Sequence, residues 1–462
     1  IGNIAGDTLQ FSTNQIAKLE ADVNVNLGAQ QQSTLDLTAT QVNLSGQQWS
    51  DITLKGQGTP EQHNLTLVTQ EGEVDVSLAL NGGWKAPQWA GSLTQLDITN
   101  ELAGKWQLGN PVAITGSAEQ ASASQLCLNR QPTGSGAACV QGSWSTKNGA
   151  KGAATLKEIS LTLLEPFMPA GTVTKGVLQA SSDFSLPPGK NPIFDVSATV
   201  LQGGVSLEDQ DLNISTGDVL VSVIGEKETL TANLQIPVLQ PAGSITAKMT
   251  VNELYNQGIL AGSFNAQLSD LKFISLFSPQ VQAVKGQVQS ELTISGNLSQ
   301  PKVLGYMELQ NASAELPALG IVMDPIKLNI KDREGSDTLD ITGALTSGEG
   351  TIDIAGNYNP LAGAGELTLA GKRFLAMGTK EIQVWISPDL QVGLDPDLIK
   401  VRGELTIPEA NITPPKSSGV NSTSVSSDVV VVQDESELNE VAAGPAIDAA
   451  VRLTLGDKVN VD

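Results

Sequence analysis

The amino-acid sequence predicts an all-β protein made of many short antiparallel strands. Throughout the chain, aliphatic residues recur two positions apart with polar or small residues between them, which is typical of a strand with one dry and one wet face. The 462 residues include 46 Gly and 22 Pro but only 4% aromatic residues, a composition that favours strands and turns over helices. At roughly thirteen residues per strand and turn, the chain would hold on the order of 30 strands.

The clearest pattern lies in residues 337–371, where one six-residue phrase occurs three times. The copies are Thr338-Leu-Asp-Ile-Thr-Gly343, Thr351-Ile-Asp-Ile-Ala-Gly356 and Glu366-Leu-Thr-Leu-Ala-Gly371. A Gly-X pair suits a two-residue hairpin turn, and Gly348-Glu349 stands between the first two copies. With that turn, the predicted dry-face pairs are Leu345 with Ile352, Gly343 with Ile354, Ile341 with Gly356, and Leu339 with Tyr358. The predicted wet-face pairs are Thr342 with Ala355 and Asp340 with Asn357.

A longer repeat overlies these strands. Phe167-Met-Pro169 followed by Lys175-Gly176 returns, 110 residues later, as Phe277-Ser-Pro279 followed by Lys285-Gly286. The stretches before the two copies, 156–164 and 268–276, fit either two turns of amphipathic helix or another strand. Repeats that cannot bury a face alone predict a stacked array.

The repeats and the changes in composition divide the chain into five segments. Residues 417–427 are rich in Ser and residues 434–440 are acidic, which predicts a flexible loop. We expect a β segment with a Cys hairpin at 1–150, β repeat units at 151–260 and 261–415, the flexible loop at 416–444, and the first strands of a further, truncated segment at 445–462.

The two cysteines, Cys127 and Cys139, lie on either side of a turn rich in Pro, Gly and Ser. Paired antiparallel strands would bring them within bridging distance. A disulfide closing so short a loop contributes about 3 kcal/mol in the chain-entropy account, and it would indicate an oxidising compartment. The alternative is two free buried thiols.

Charge and hydropathy exclude several classes of partner and anchor. The net charge is −23 and the basic residues are not clustered, so we expect no nucleic acid and no anionic membrane surface as a direct partner. No stretch approaches the roughly 20 apolar residues of a membrane helix. Because the chain begins at Ile1 and stops inside an alternating strand, we expect it to be a piece of a longer protein.

The residues that usually carry chemistry are sparse. His63 is the single histidine, and a lone histidine in a strand is typically a surface or capped residue, so His-based triads lack their parts. Asp395-Pro-Asp397 could hold calcium or act as a carboxylate pair, but the chain has 49 acidic residues and coincidence explains the spacing better. We expect no enzyme, no catalytic residue, no metal site and no cofactor.

The function therefore depends on what the dry face contacts. One possibility is a second dry face, as in a β-sandwich or a solenoid core. The other is an open trough that holds acyl chains, since each buried methylene contributes about 0.8 kcal/mol. Alternation alone does not separate the two.

A set of motifs resembles the periplasmic part of the TamB family, which is related to the AsmA-like, bridge-like lipid transfer proteins. The motifs are the glycine-closed strands, the Phe-x-Pro and Lys-Gly units, Gly82-Gly-Trp84 with Trp89-Ala-Gly91, and Val401-Arg-Gly-Glu-Leu-Thr-Ile-Pro-Glu-Ala-Asn-Ile412. Their order matches over essentially the whole chain, although no single motif is diagnostic.

The resemblance implies an elongated, curved, hydrophobic β-groove in the periplasm of a Gram-negative envelope. It also implies an inner-membrane anchor, contact with the outer-membrane barrel TamA, and roles in phospholipid transport and outer-membrane protein assembly. We expect the anchor and the TamA contact to lie outside this chain.

Under this interpretation, aliphatic side chains line the groove and meet phospholipid acyl chains. The residues that we expect there are Leu35, Leu37, Leu292, Ile294, Leu339, Ile341, Ile352, Ile354, Leu367, Leu369, Leu405 and Ile407. Two alternatives are a scaffold that templates outer-membrane β-strands by edge addition and a passive spacer or stalk. We also expect self-association through exposed strand edges.

Overall fold

The part of the chain that the structure describes forms 29 strands, which belong to one sheet. The computed structural model describes residues 1–26, 31–132, 136–207, 212–276, 278, 280–333, 336–360, 362–413 and 445–461. In this part of the chain the regular elements other than strands are two short 3₁₀ helices. The all-β prediction is therefore confirmed, and the mostly antiparallel sheet is consistent with the predicted β-groove.

The first of two compact units comprises Ile1–Glu208, Asn213–Leu239 and Lys248–Gly258. Its elements are β1 (Gly2–Phe11), β2 (Asn14–Asn24), β3 (Ser33–Leu44), β4 (Gln47–Thr59), β5 (Gln62–Gln70), β6 (Val74–Lys85), β7 (Gln88–Asn100), β8 (Gly104–Leu108), β9 (Val112–Gly116), β10 (Gln120–Arg130), β11 (Ala137–Ser145), β12 (Gly149–Ser160), η1 (Leu161–Phe167), β13 (Thr172–Leu186), β14 (Ile193–Leu207), β15 (Leu212–Thr216), β16 (Val219–Glu226) and β17 (Thr229–Gln240). Most strands that are neighbours along the chain pair antiparallel. The exceptions include β8 and β9, which both lie between β7 and β10, and β14, which pairs with β16.

The second unit comprises Asp209–Leu212, Gln240–Ala247 and Ile259–Asp462. Its elements, with β18 divided between the units, are β18 (Gly243–Asn252), β19 (Ile259–Leu268), η2 (Lys272–Leu276), β20 (Gln282–Asn297), β21 (Gln300–Leu316), β22 (Ile321–Asp332), β23 (Leu339–Ser347), β24 (Gly350–Asn359), β25 (Ala364–Lys372), β26 (Phe374–Gly378), β27 (Ile382–Asp395), β28 (Leu398–Ile412) and β29 (Ala446–Val461). β28 and β29 pair in parallel, which requires a long crossover connection.

The predicted β23–β24 hairpin is confirmed residue by residue. Leu345 pairs with Ile352 and Gly343 with Ile354, and the other four predicted pairs also form. The turn consists of Gly348 and Glu349, and Gly348 has a φ of +62°. Glycine adopts this left-handed conformation without steric cost, which suits the first central position of a hairpin turn.

The 110-residue repeat in the sequence is also a repeat in the structure. Gly176 and Gly286 have φ values of +117° and +139°, and each lies at a shift in strand register. A Cβ atom at Gly176 would lie 3.3 Å from Leu161, and one at Gly286 would lie 3.3 Å from Leu271. Because glycine has no side chain, Leu161 of η1 and Leu271, just before η2, can approach the sheet at these positions.

The two stretches left open between helix and strand contain both. In each, the strand ends first, at Ser160 in β12 and at Leu268 in β19, and a 3₁₀ helix follows. Phe277 and Pro279 of the repeat lie outside the described residues, as does the predicted loop at 416–444. The five predicted segments remain a prediction.

Candidate functional site

Rows of aliphatic side chains cross the strands of the second unit on one face. Residues paired directly across neighbouring strands share a face of a sheet. One row runs from Leu328 through Gly343, Ile354, Leu369 and Leu390 to Gly403. A neighbouring row runs from Ile330 through Ile341, Gly356, Leu367 and Val392 to Val401. We call this surface the apolar face.

The predicted groove residues of β23, β24 and β25 all lie on this apolar face. Leu405 also lies on the apolar face, where it pairs with Pro388 and Leu453. Ile407 lies on the same face because it is two residues further along β28. Leu292 and Ile294 occupy corresponding positions in β20, opposite Gly305 and Val303. Period-two alternation therefore assigned these residues to a common surface within the second unit.

Most of these side chains are only half-buried. Of the twelve predicted residues, Ile352 alone is buried, at 9% exposure, and the other eleven are of intermediate exposure. Side chains interdigitated with a second sheet would be largely removed from solvent. The half-exposed rows indicate a face that other described strands do not cover.

One end of the apolar face in the second unit is covered by the chain around η2. Leu271, Val284 and Ala314 form a buried cluster, against which Phe273 and Ile274 pack. Val288, Leu309 and Ile326, which belong to the apolar rows, also contact this cluster. The chain thus closes the rows at β20–β22 and leaves the centre of β23–β25 half-exposed.

The first unit has the same pattern of aliphatic rows, and we call the surface that carries them the apolar face of that unit. Leu35 lies in the row Val23, Leu35, Gly56, Leu65, Leu80, Leu93, and Leu37 lies in the row Ala21, Leu37, Leu54, Leu67, Leu78, Leu96. A cavity of about 570 Å³ opens on this surface where Gly56 and Gly58 leave room between larger side chains. Leu35, Leu65 and Trp89 are among its lining residues.

His63 lies on this apolar face, where the sequence analysis did not place it. It pairs with Gly58 and Gly82, in phase with Leu65. The indole Nε1 of Trp89 donates to His63 Nε2 at 3.0 Å, and His63 Nδ1 lies 3.2 Å from the Thr59 carbonyl oxygen. Because an indole N–H can only donate, Nδ1 carries the proton and donates to Thr59. These two hydrogen bonds hold the imidazole among the side chains of the apolar face, which is consistent with the expected capped histidine.

Trp89 covers two glycine gaps on the apolar face. A Cβ atom at Gly82 would overlap the Trp89 ring, as would one at Gly91, so the indole covers both gaps. Several other wall residues were missed, namely Leu328 and Ile330 in β22 and Leu390 and Val392 in β27. Their alternation with polar neighbours is the signal that would have identified them.

The predicted disulfide is present. Cys127 and Cys139 are bonded and occupy directly paired positions of β10 and β11, with Cα atoms 4.0 Å apart. Cys139 also pairs with Thr155 of β12. Leu126 and Leu128 flank Cys127 in β10 and therefore lie on the opposite side of the sheet, which is the apolar face. The bridge therefore lies on the opposite, polar face and does not contribute to the apolar rows.

The polar face carries the ion pairs. In the second unit Arg402 donates to Asp448 at 2.6 Å, linking β28 to β29, and this hydrogen bond holds the pKa of Asp448 below its ordinary value. In the first unit the carboxylate of Glu20, which accepts from Lys18 at 2.6 Å, raises the pKa of Lys18. Both pairs are exposed to solvent, where they contribute little to stability.

The described residues contain neither a metal-binding cluster nor a membrane-spanning helix. No group of three or more His, Cys, Asp and Glu side chains in this part of the chain is placed to hold a metal ion. Nor does any helix there combine the length and apolarity that crossing a membrane requires.

Comparisons with known proteins cover nearly the whole chain. Residues 2–309 match the family model described as the TamB N-terminal domain, and residues 333–462 match that of the TamB C-terminal domain. The translocation and assembly module subunit TamB of Haemophilus influenzae is 21% identical over 486 aligned residues, with 100% of this chain and 36% of the relative covered. The chain thus spans about a third of the length of that relative. No solved structure matches it.

Proposed function

The chain belongs to the TamB family, and from that premise we propose that its apolar face forms a groove that carries phospholipid acyl chains through the periplasm, between the inner and outer membranes. The proposal includes a part in the translocation and assembly module, together with the outer-membrane barrel TamA. It places the membrane anchor and the TamA contact outside these residues.

The observation that supports this function is the half-exposed aliphatic face. Soluble proteins rarely leave contiguous apolar patches larger than a few hundred Å² bare. An acyl chain lying on the rows of β23–β25 would remove both its own methylenes and these side chains from water, at about 0.8 kcal/mol for each methylene. The half-exposed surface is therefore suited to a mobile hydrocarbon ligand.

The chemistry of the wall suits passage better than tight binding. The rows consist of aliphatic side chains and glycines, and contacts between hydrocarbons are non-directional. A chain that slides by one methylene exchanges one set of contacts for an equivalent set. Such a wall retains acyl chains without a fixed site that would stop them.

The decisive experiment places a charge on the wall. Leu367 is half-buried in the centre of the apolar face and tolerates a longer side chain better than Ile352, which is 9% exposed. We expect Leu367→Arg to reduce transfer of labelled phospholipid between donor and acceptor membranes severalfold, because the guanidinium must stay hydrated within the hydrocarbon path. Ala370→Arg, on the same strand but exposed on the polar face, is the matched control and should transfer normally.

Photocrosslinking gives an independent readout. A photoreactive residue at position 367 should yield phospholipid adducts, and one at position 370 should not. Equal adducts at both positions, or normal transfer by folded Leu367→Arg, would contradict the proposal.

A second candidate function is strand-edge templating of outer-membrane proteins. β29 presents Ile447, Leu453 and Leu455 with 71%, 58% and 60% exposure, and its one described pairing partner is β28. Strand addition uses such an edge. Under this alternative, photoreactive residues in β29 would capture a client protein while position 367 captured no lipid. Self-association through strand edges remains a prediction, for which sedimentation velocity at rising concentration is the measurement.

A further inference from the structure

A basic concavity lies on the polar face of the first unit, at the strand ends of β11–β13. It measures about 850 Å³, and its lining includes Lys147, Lys151 and Lys190. We propose that this concavity binds the phosphate of an anionic phospholipid headgroup whose acyl chains lie on the apolar face. The proposal rests on the proposed function, and it adds that the groove prefers phospholipids whose headgroup is anionic.

The topology brings the three lysines together. Lys147 belongs to the turn between β11 and β12, Lys190 belongs to the turn between β13 and β14, and Lys151 in β12 pairs with Ser185 in β13. The two turns are in close proximity, since a Cβ atom at Gly149 would lie 3.0 Å from Pro188. Three cationic side chains from different elements therefore line one space.

The charge of this space is opposite to that of the chain. The protein has 49 acidic and 26 basic residues, yet no Asp or Glu is among the residues lining the concavity. Some other lysines on the polar face are held in ion pairs, namely Lys18 with Glu20, Lys55 with Asp36 and Lys302 with Asp337. Lys147, Lys151 and Lys190 form no ion pair within the described part of the chain, so their charges are available to an anion.

Several other lining residues carry neutral hydrogen-bond donors. Hydroxyl groups of Ser122, Ser143 and Ser145 and the amides of Gln120 and Asn148 surround the same space. A phosphate accepts several hydrogen bonds at once, and those from ammonium groups are stronger than neutral ones. Ammonium groups combined with hydroxyls are therefore suited to a phosphodiester.

The location favours a headgroup over a free anion. On the other face of the same strand ends, Trp144, Phe184 and Leu186 are 42%, 50% and 49% exposed. Tryptophan favours the boundary between an apolar and a wet region. One amphiphile could therefore lay its acyl chains along these apolar side chains while its phosphate reaches around the strand ends to the lysines.

The test uses two short-chain lipids that differ only in headgroup. The full chain is titrated calorimetrically, at low ionic strength, with dihexanoylphosphatidylglycerol and with dihexanoylphosphatidylcholine. Because each exposed charge contact contributes modestly and there are three, we expect roughly tenfold tighter binding of the anionic lipid. The triple variant K147E/K151E/K190E should lose this preference.

The matched control is K227E/K327E/K372E, which changes the net charge equally at exposed lysines outside the concavity that also form no ion pair in the described part of the chain, and it should keep the preference. An equal loss in both triple variants, or no preference in the native chain, would overturn the proposal. Inorganic phosphate that displaces the anionic lipid at equal concentration would overturn the headgroup assignment. Binding of inorganic phosphate that depends on the three lysines, with neither lipid bound, would refute the acyl-chain path while supporting the anion site.

Discussion

Individual glycines allow large side chains to fit on the apolar face. Gly371 pairs with Ile352, and a Cβ atom at position 371 would lie 2.9 Å from Ile352 Cγ1 and 2.6 Å from the Thr351 carbonyl oxygen. Such distances are too short for real contacts, so any side chain at 371 would displace its neighbours. The glycines that close the repeated phrases are thus places where the neighbouring strand needs the space.

We expect Gly371→Ala to lower the stability of the second unit by about 1–3 kcal/mol, the usual effect of overpacking. The matched control in the same unit is Gly393→Ala, because a Cβ atom at Gly393 would come no closer than 3.5 Å to another residue. Urea unfolding followed by tryptophan fluorescence measures both. Equal midpoints for the two variants would show that the close approach at Gly371 does not constrain the sheet.

At the level of elements, cross-links on the polar face join strands without touching the apolar rows. The Cys127–Cys139 bond closes the β10–β11 hairpin, and the Arg402–Asp448 pair joins two strands that are remote in sequence. These contacts affect stability and strand docking. Changes to them should therefore leave hydrocarbon binding on the other face intact.

Replacing both cysteines by serine should destabilise the β10–β11 region by about 3 kcal/mol, since a loop closed over 12 residues no longer restricts the unfolded chain. Urea unfolding with and without reductant measures this effect. Reductant should shift the native midpoint to that of the double variant and leave the variant unchanged. Phospholipid adducts at position 35, on the apolar rows of the same unit, should persist in the folded double variant, and their loss would show that the apolar rows depend on the bridge.

The pairing of β29 with β28 should weaken in acid. Arg402 lowers the pKa of Asp448, so the ionised pair favours docking above the ordinary carboxyl pKa, near pH ~4. That contribution is lost as the pH falls through the depressed pKa of Asp448. We expect lower protection of the β29 amides from hydrogen exchange, relative to the intrinsic rate at the same pH, below pH ~4, and a smaller acid effect in Arg402→Gln. Identical acid dependence in both proteins would contradict this.

At the level of the whole molecule, both units carry one pattern of half-exposed rows. The pattern includes Leu35 in the first unit and Leu367 in the second. If a single hydrocarbon path uses both units, a charge in either unit interrupts it. Two independent lipid sites would each continue to operate when the other is blocked.

Under a single path, Leu35→Arg alone should reduce phospholipid transfer as much as Leu367→Arg alone, and the double variant should be no worse than either. The first-unit control is Thr66→Arg, because Thr66 is exposed on the polar face. Transfer between labelled membranes is the measurement. Additive losses in the double variant would indicate two separate sites.

Much of the candidate site could be predicted from the sequence because β alternation is local. The register of β23 and β24 could be predicted from the Gly348-Glu349 turn and from the alternation of aliphatic and polar residues. A slip of one residue would move every aliphatic side chain to the wet face. The same period correctly grouped the predicted residues of β23–β25. His63 was not predicted to lie on the apolar face, because histidine is polar and was expected at the surface. Its position two residues before Leu65 in the same strand would have placed it on that face.

The sequence by itself determined the strand class, the local registers, the disulfide and the aliphatic identity of one face, because each depends on neighbours close along the chain. Only the tertiary structure decided the parallel docking of β29, the contact of Trp89 with His63, the cover that Phe273 and Ile274 provide, and the meeting of Lys147 with Lys190. These features depend on pairings between segments distant in sequence, and alternation carries no information about which strand lies beside which.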